Sequence, residues 1–166
     1  MKKYKRIAVA FTGISNSGKT TLLVKISQKL QSDGFKVAML KHDPHDKAVF
    51  DKEGKDSYKF SSTGADVAVI SPTRTTIFKK ESSSINQIIS LFNNFDYLLV
   101  EGLKSIALPR ICVARGKIYE EYFDKSDILA IDDTIDKNSI PNNIKTLNLN
   151  NIEQIIDWID KNGKKV

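Results

Sequence analysis

Eight consecutive residues, Gly13-Ile14-Ser15-Asn16-Ser17-Gly18-Lys19-Thr20, match the pattern G-x-x-x-x-G-K-[ST] in full. Each position has a physical reason. The two glycines allow a backbone that turns successive amides inward as an anion nest, with Ser15, Asn16 and Ser17 between them. Lys19 brings a compact positive charge to phosphate oxygens. Thr20 can ligate Mg²⁺ through its hydroxyl, and the helix that follows, from Thr20 and Thr21 onward, offers its positive end. Such a loop works only between a strand and a helix, and the flanks agree. Ile7 to Phe11 is a continuous apolar run, as in a strand buried on both faces of a parallel sheet. From Lys19 to Leu30, the residues Leu22, Leu23, Ile26 and Leu30 form one helical stripe, which Gly34 closes. Lys36 to Leu40 reads as a second strand, so the opening is a right-handed βαβ unit.

Further along, the polar stretch Lys41 to Asp66 reads as a loop and then a helix around Asp56 to Ser62. Val67 to Ile70 and Thr75 to Phe78 read as a hairpin across Ser71-Pro72-Thr73-Arg74. A helix near Ile85 to Phe92 and a strand Tyr97 to Val100 follow. Ile111 to Ala114, Ile128 to Ile131 and, more weakly, Ile144 to Leu149 are further strands. Asn150 and Glu153 have capping-box spacing before a final helix through Trp158. The alternation predicts an α/β chain, a P-loop NTPase-type three-layer sandwich whose mainly parallel sheet carries the hairpin at one edge. Residues 1–166 are expected to form a single nucleotide-binding domain.

Composition narrows the function classes. Of the residues, 40% are hydrophobic and 28% charged, which excludes wholesale disorder. One cysteine, Cys112, excludes an intrachain disulfide and points to a reducing, cytoplasmic setting. Only five apolar residues follow Arg6 in the leader-like start, too few for a secretory signal, and no run approaches a membrane span. The net charge of +6 favours anionic partners. The lysines are scattered without interleaved aromatics, so nucleic acid is not expected as a partner.

A P-loop also needs a carboxylate at the end of a neighbouring strand to hold the Mg²⁺ shell. Asp96 and Glu101 flank the strand Tyr97 to Val100. Glu101 stands at the C-terminal edge, where open α/β sheets place ligands, and Asp96 reads as an N-terminal strand cap. Lys41-His42 leaves the second strand beside the phosphates. His42 and His45 are spaced for a metal pair, but Pro44 disfavours the helix that pairing needs. Asp132 and Asp133 follow an apolar strand, where a carboxylate could read guanine donors or simply turn the chain.

With these residues in place, the chain resembles the MobB family, accessory P-loop proteins of molybdenum-cofactor biosynthesis. Lys41-His42-Asp43-Pro44-His45 resembles the family's segment after strand two. Asp51 with Gly54-Lys55-Asp56-Ser57, and Thr63-Gly64-Ala65, resemble its D-x-x-G-K-D-S and A-G-A elements. Asp96 through Val100-Glu101-Gly102-Leu103-Lys104 resembles D-x-x-x-V-E-G-F-K, and Pro109-Arg110-Ile111 with Arg115 resembles P-K-I and a following arginine. The resemblance implies GTP and Mg²⁺ as cofactors, slow hydrolysis, a homodimer, and assistance to the guanylyltransferase that joins GMP to molybdopterin, giving molybdopterin guanine dinucleotide. It also implies a surface for phosphate, molybdopterin or its dinucleotide, or a partner, formed by Lys41, His42, Asp51, Lys55, Asp56, Ser57 and Lys104. The chain is then at most a slow GTPase acting as an adapter. The competing expectation is a small-molecule kinase that uses ATP, with Asp43, Asp51 or Asp56 as its base.

Overall fold

Ile7–Thr12 forms β1, all six residues buried, and the apolar run alone accounts for it. A computed structural model describes residues 4–166, so the first three residues of the leader-like start lie outside the described residues. Beyond β1 run α1 (Lys19–Ser32), β2 (Val37–Lys41), α2 (Asp56–Ser62), β3 (Val67–Ile70), β4 (Thr75–Phe78) and α3 (Ile85–Phe92). Then follow β5 (Tyr97–Glu101), β6 (Arg110–Ala114), β7 (Ile128–Ile131), β8 (Thr146–Asn148), α4 (Ile152–Asn162) and β9 (Lys164–Lys165). The described residues divide into two compact units, one made of residues 4–42 and 92–166 and the other of residues 43–91.

The first unit is built on a sheet ordered β2-β5-β1-β6-β7-β8. Every pairing along that path is parallel. β9 was not legible in the sequence. It runs antiparallel to β1 at Ile7 and Ala8, along the stretch that β6 leaves open by pairing only with Ala10 to Thr12. One face of the sheet packs Val9, Phe11, Leu99 and Val113 against Leu23 and Ile26 of α1 and Ile155 and Ile159 of α4. The other face buries Cys112, Leu129 and Ile131 under Tyr122, Ile135 and Ile140, which come from short 3₁₀ turns and loops. Among the described residues, no helix is long and apolar enough to cross a membrane.

The N-terminal edge of this sheet is closed by polar groups. Asp96 is 3% exposed. Its carboxylate accepts the Lys5 amide at 3.1 Å and the Lys36 amide at 2.9 Å, tying together the starts of β1, β2 and β5 as a strand cap should. Beside it, the Tyr97 hydroxyl donates to Asp160 at 2.6 Å and accepts from the Lys5 ammonium at 2.6 Å. Burial and the Asp160 carboxylate push Tyr97 up to about 12. An unfolded tyrosine ionises near 10. Because the folded value is the higher one, this group's stabilisation is complete below about pH 10 and drains away as pH rises through about 12. Urea denaturation at pH 9 and pH 11 should therefore give the lower stability at pH 11. Replacement of Tyr97 by phenylalanine should flatten that decline, and an unchanged slope in the variant would refute the assignment.

The last helix opens one residue later than Asn150 and Glu153 imply. The side chain of Asn151 accepts the Gln154 amide, while the Gln154 carboxamide oxygen accepts the Asn148 amide. Asn150 is instead held in a turn on Asn148.

The second unit contains α2, the β3–β4 hairpin and all of α3 but its last residue. The expected hairpin forms at the expected residues, turned by Ser71 and Arg74. It stands as a two-stranded sheet of its own and is not hydrogen-bonded to an edge of the main sheet. Only Val67 of β3 is buried, so the strand lacks the two apolar faces a member of the main sheet presents. A capping box of Ser84 and Gln87 starts α3.

Candidate functional site

β1 ends at Thr12, and the chain must leave the sheet beside β6 without striking it. Gly13 makes that possible. At its φ of +134°, a Cβ would lie 2.3 Å from the Val113 carbonyl oxygen, so no side chain fits. Asn16 and Gly18 also adopt left-handed φ, at 63° and 89°, and curl the loop into the start of α1. Helix α1 begins with no side-chain cap and no acidic residue in its first turn, so its positive pole is uncompensated.

Two further observations fit this loop to a phosphate group. Ser17, 1% exposed, has a buried hydroxyl with no hydrogen-bond partner among the described residues. A buried unpaired hydroxyl costs free energy that a ligand oxygen or amide nest can recover. The Lys19 ammonium folds back onto the loop, donating to the carbonyls of Gly13 at 3.0 Å and Ile14 at 2.6 Å. Burial pulls its pKa below the usual lysine value, Lys41 adds to that, and Glu101 and Cys112 oppose it. Ser15, Asn16, Thr20 and Thr21 are exposed along the same loop and first helical turn.

Glu101 ends β5 in register with Phe11 of β1 and Lys41 of β2. Its peptide is fixed on both sides, since the His42 amide donates to the Glu101 carbonyl at 2.9 Å and the Gly102 amide to that of Phe11 at 3.0 Å. A Cβ on Gly102 would lie 3.2 Å from that of His42. The structure therefore gathers the Gly13–Thr21 segment, Lys41, His42 and Glu101 at one edge of one sheet, where Glu101 and Lys41 act electrostatically on Lys19.

Lys104 is exposed, and its ammonium lies 5.2 Å from the centre of the Tyr122 ring. Asp132 is already engaged. One carboxylate oxygen takes the Arg115 guanidinium at 2.6 Å and the other takes the Thr134 amide and hydroxyl. The Thr134 hydroxyl above all, with Arg115, holds its carboxyl below the ordinary aspartate range against the effect of burial. Arg115 in turn lines a groove with Gly18, Thr21, Lys25 and Asn150.

Asp51, Lys55, Asp56 and Ser57 belong to the second unit. Asp51 accepts the Ser57 hydroxyl at 3.0 Å and borders an open cavity of about 800 Å³ with Tyr58 and Phe78. Asp56 pairs with Lys59 in solvent, and Lys55 stands at the cap position of α2.

Arg110 was not legible as a site residue. It is 5% exposed, and its guanidinium donates to the carbonyls of Gly102, Leu103, Lys104 and Ile106. A cation opening an otherwise apolar strand was the available signal.

Comparison with known proteins gives the chain a family and a fold relative. The family described as MobB, molybdopterin guanine dinucleotide synthesis protein B, matches residues 8–133. A protein of Methanocaldococcus jannaschii is 30% identical over 131 residues, covering 75% of this chain but only 54% of its own, so the chain spans about half the length of that relative. The molybdopterin-guanine dinucleotide biosynthesis adapter protein of Haemophilus influenzae is 30% identical over 160 residues, with 92% of this chain and 86% of the relative covered. The crystal structure of Bacillus subtilis MobB superposes with a TM-score of 0.73 at 22% identity, over 96% of this chain and 99% of that one. It shares the three-layer α/β fold with its mostly parallel sheet.

Proposed function

The chain belongs to the MobB family, and from that premise we propose that it is a GTP-binding adapter in the biosynthesis of molybdopterin guanine dinucleotide. In this reading it assists the guanylyltransferase that joins GMP to molybdopterin, works as a homodimer in the cytoplasm, and hydrolyses GTP slowly. The observation that carries it is the preformed cradle, with an uncapped helix start and an unpartnered Ser17 hydroxyl inside a loop whose residues lie within the family match.

Each residue has a task. The amides from Gly13 to Thr20 receive phosphate oxygens, and Ser17 donates its hydroxyl. Lys19 releases the Gly13 and Ile14 carbonyls and turns to the β- and γ-phosphates. Thr20 and Glu101 would hold Mg²⁺, which when bound neutralises phosphate charge and polarises the terminal phosphoryl group. Lys41, His42 and Lys104 would face phosphate or partner, and Asp51, Lys55, Asp56 and Ser57 would meet pterin or partner. Three of the four arginines support slow turnover. Arg6 is spent on the carbonyls of Asn93 and Val166, Arg110 on its loop and Arg115 on Asp132, which leaves these three guanidiniums committed away from a γ-phosphate.

Calorimetric titration with GTP and ATP, each with and without Mg²⁺, tests the reading. Tighter, Mg²⁺-dependent binding of GTP is expected. Equal or tighter binding of ATP would overturn the guanine assignment and bring the kinase reading forward.

A further inference from the structure

We propose that Arg110 is a positioning residue of the nucleotide site, holding the loop after β5 so that Glu101 and Lys104 stand ready for the Mg²⁺-nucleotide. The inference rests on the nucleotide reading above and concerns how that site is kept in shape before anything binds.

Four carbonyl oxygens of one short loop turn inward on a single cation. Arg110 donates through Nη1 to Gly102 at 3.2 Å, and through Nη2 to Leu103 at 3.1 Å, Ile106 at 3.1 Å and, more weakly, Lys104 at 3.4 Å. A loop folded this way aims its dipoles at a buried point, and without a cation there the carbonyls would repel one another and open to water. The guanidinium supplies several donors in a plane, and its charge persists because burial lowers an arginine pKa that starts far above neutrality.

The base of this clamp is fixed in the sheet. Arg110 aligns with Ala10 of β1, its amide donates to Asp127 at 2.7 Å and its carbonyl accepts the Asp127 amide at 2.9 Å. The same rigid strand therefore backs the P-loop, through Val113 against Gly13, and sets the loop that follows Glu101. Backbone strain marks the constraint. Leu103 sits at φ +49°, a conformation a leucine keeps only where its surroundings impose it. The result is a loop whose first residue adjoins Glu101 and whose third, Lys104, has its ammonium settled over Tyr122.

The test compares Arg110→Met, which keeps a long buried side chain without donors, with Arg110→Lys, which keeps the charge and three donors. GTP is titrated into each by calorimetry with and without Mg²⁺, beside the unaltered protein. Loss of an outer-shell partner typically costs 10–100-fold in metal affinity. The methionine variant should lose about tenfold of the affinity gained from Mg²⁺, lose less of its metal-free affinity through Lys104, and be partly rescued by lysine. Equal loss with and without metal, or no loss at all, would overturn the proposal.

Amide hydrogen exchange on the unaltered protein provides a second reading that survives a variant that will not fold. The Ile106 and Leu108 amides, bonded to Leu103 and Ile106 carbonyls, should be protected before nucleotide is added. Exchange at the rate of an open loop would refute the clamp. The two readings fail separately. If the unaltered protein binds no nucleotide, the functional proposal falls and with it the role given to Arg110, whereas nucleotide binding with an unprotected loop removes only the inference about Arg110.

Discussion

Lys19→Ala is expected to weaken nucleotide binding roughly 100-fold without unfolding the protein. Among the described residues the Lys19 ammonium donates to two carbonyls of its own loop, which it would exchange for phosphate oxygens in the proposed complex. Each hydrogen bond to a charged group contributes about 1.5–3 kcal/mol, so losing two costs about 3 kcal/mol or more, near two decades in affinity. The fold survives because the freed Gly13 and Ile14 carbonyls lie in half-exposed backbone that water can reach. A proton linkage accompanies the effect. Burial lowers the Lys19 pKa in the free protein, and phosphate raises it again in the complex. Affinity should then fall as pH climbs past the free-state value, because each binding event must take up a proton there. The alanine variant should lose that dependence. Calorimetry at several alkaline pH values measures both effects, and an alanine variant with parental affinity would end the assignment of Lys19.

Gly13→Ala should be the most damaging single methyl group in the site. The added Cβ would meet the Val113 carbonyl oxygen at 2.3 Å and the Ser17 hydroxyl at 3.1 Å. Val113 belongs to a buried central strand, so neither backbone can yield cheaply. Overpacking and φ strain each cost on the order of 1–3 kcal/mol, and together about 4 kcal/mol. For a chain of this size, that lowers the melting midpoint by roughly 10 °C. Gly18→Ala is the matched control, since its φ is also left-handed but none of the described residues beyond its neighbours lies within 4 Å of an added Cβ. It should lose only the strain. Equal melting points for the two variants would show that the clash is relieved and the close approach unimportant.

The parts of this structure that could be read in the sequence are those in which one local rule dominates. Ile7 to Phe11 can only be a doubly buried strand, and the P-loop pattern commits its neighbours to strand and helix. Glu101 and Asp96 were separable because polarity along a parallel strand distinguishes its two ends, and Asp96 does cap the three strand starts. What escaped reading depends on partners far away in the chain. Lys164 and Lys165 carry no strand signal, and they become β9 because β6 stops short of Ile7. Arg110 reads in the sequence as the middle of Pro109-Arg110-Ile111, although its contacts are decided by carbonyls at residues 102–106. The cap at Asn151 displaced the equally plausible one at Asn150 by a single residue, because Gln154 and not Glu153 completes the bonding.

The pairing of β1 also bears on how the protein is made. This strand leaves a ribosome before any of its hydrogen-bonding partners, which are residues 97–101, 110–112 and 164–165. Its apolar length must wait, unpaired, through the synthesis of residues 13–96. The P-loop hanging from its end acquires the wall behind Gly13 only when β6 has been translated. Ligand capture by a stalled nascent chain would thus serve as a clock for folding, silent in chains halted before β6 and audible in those halted well beyond it.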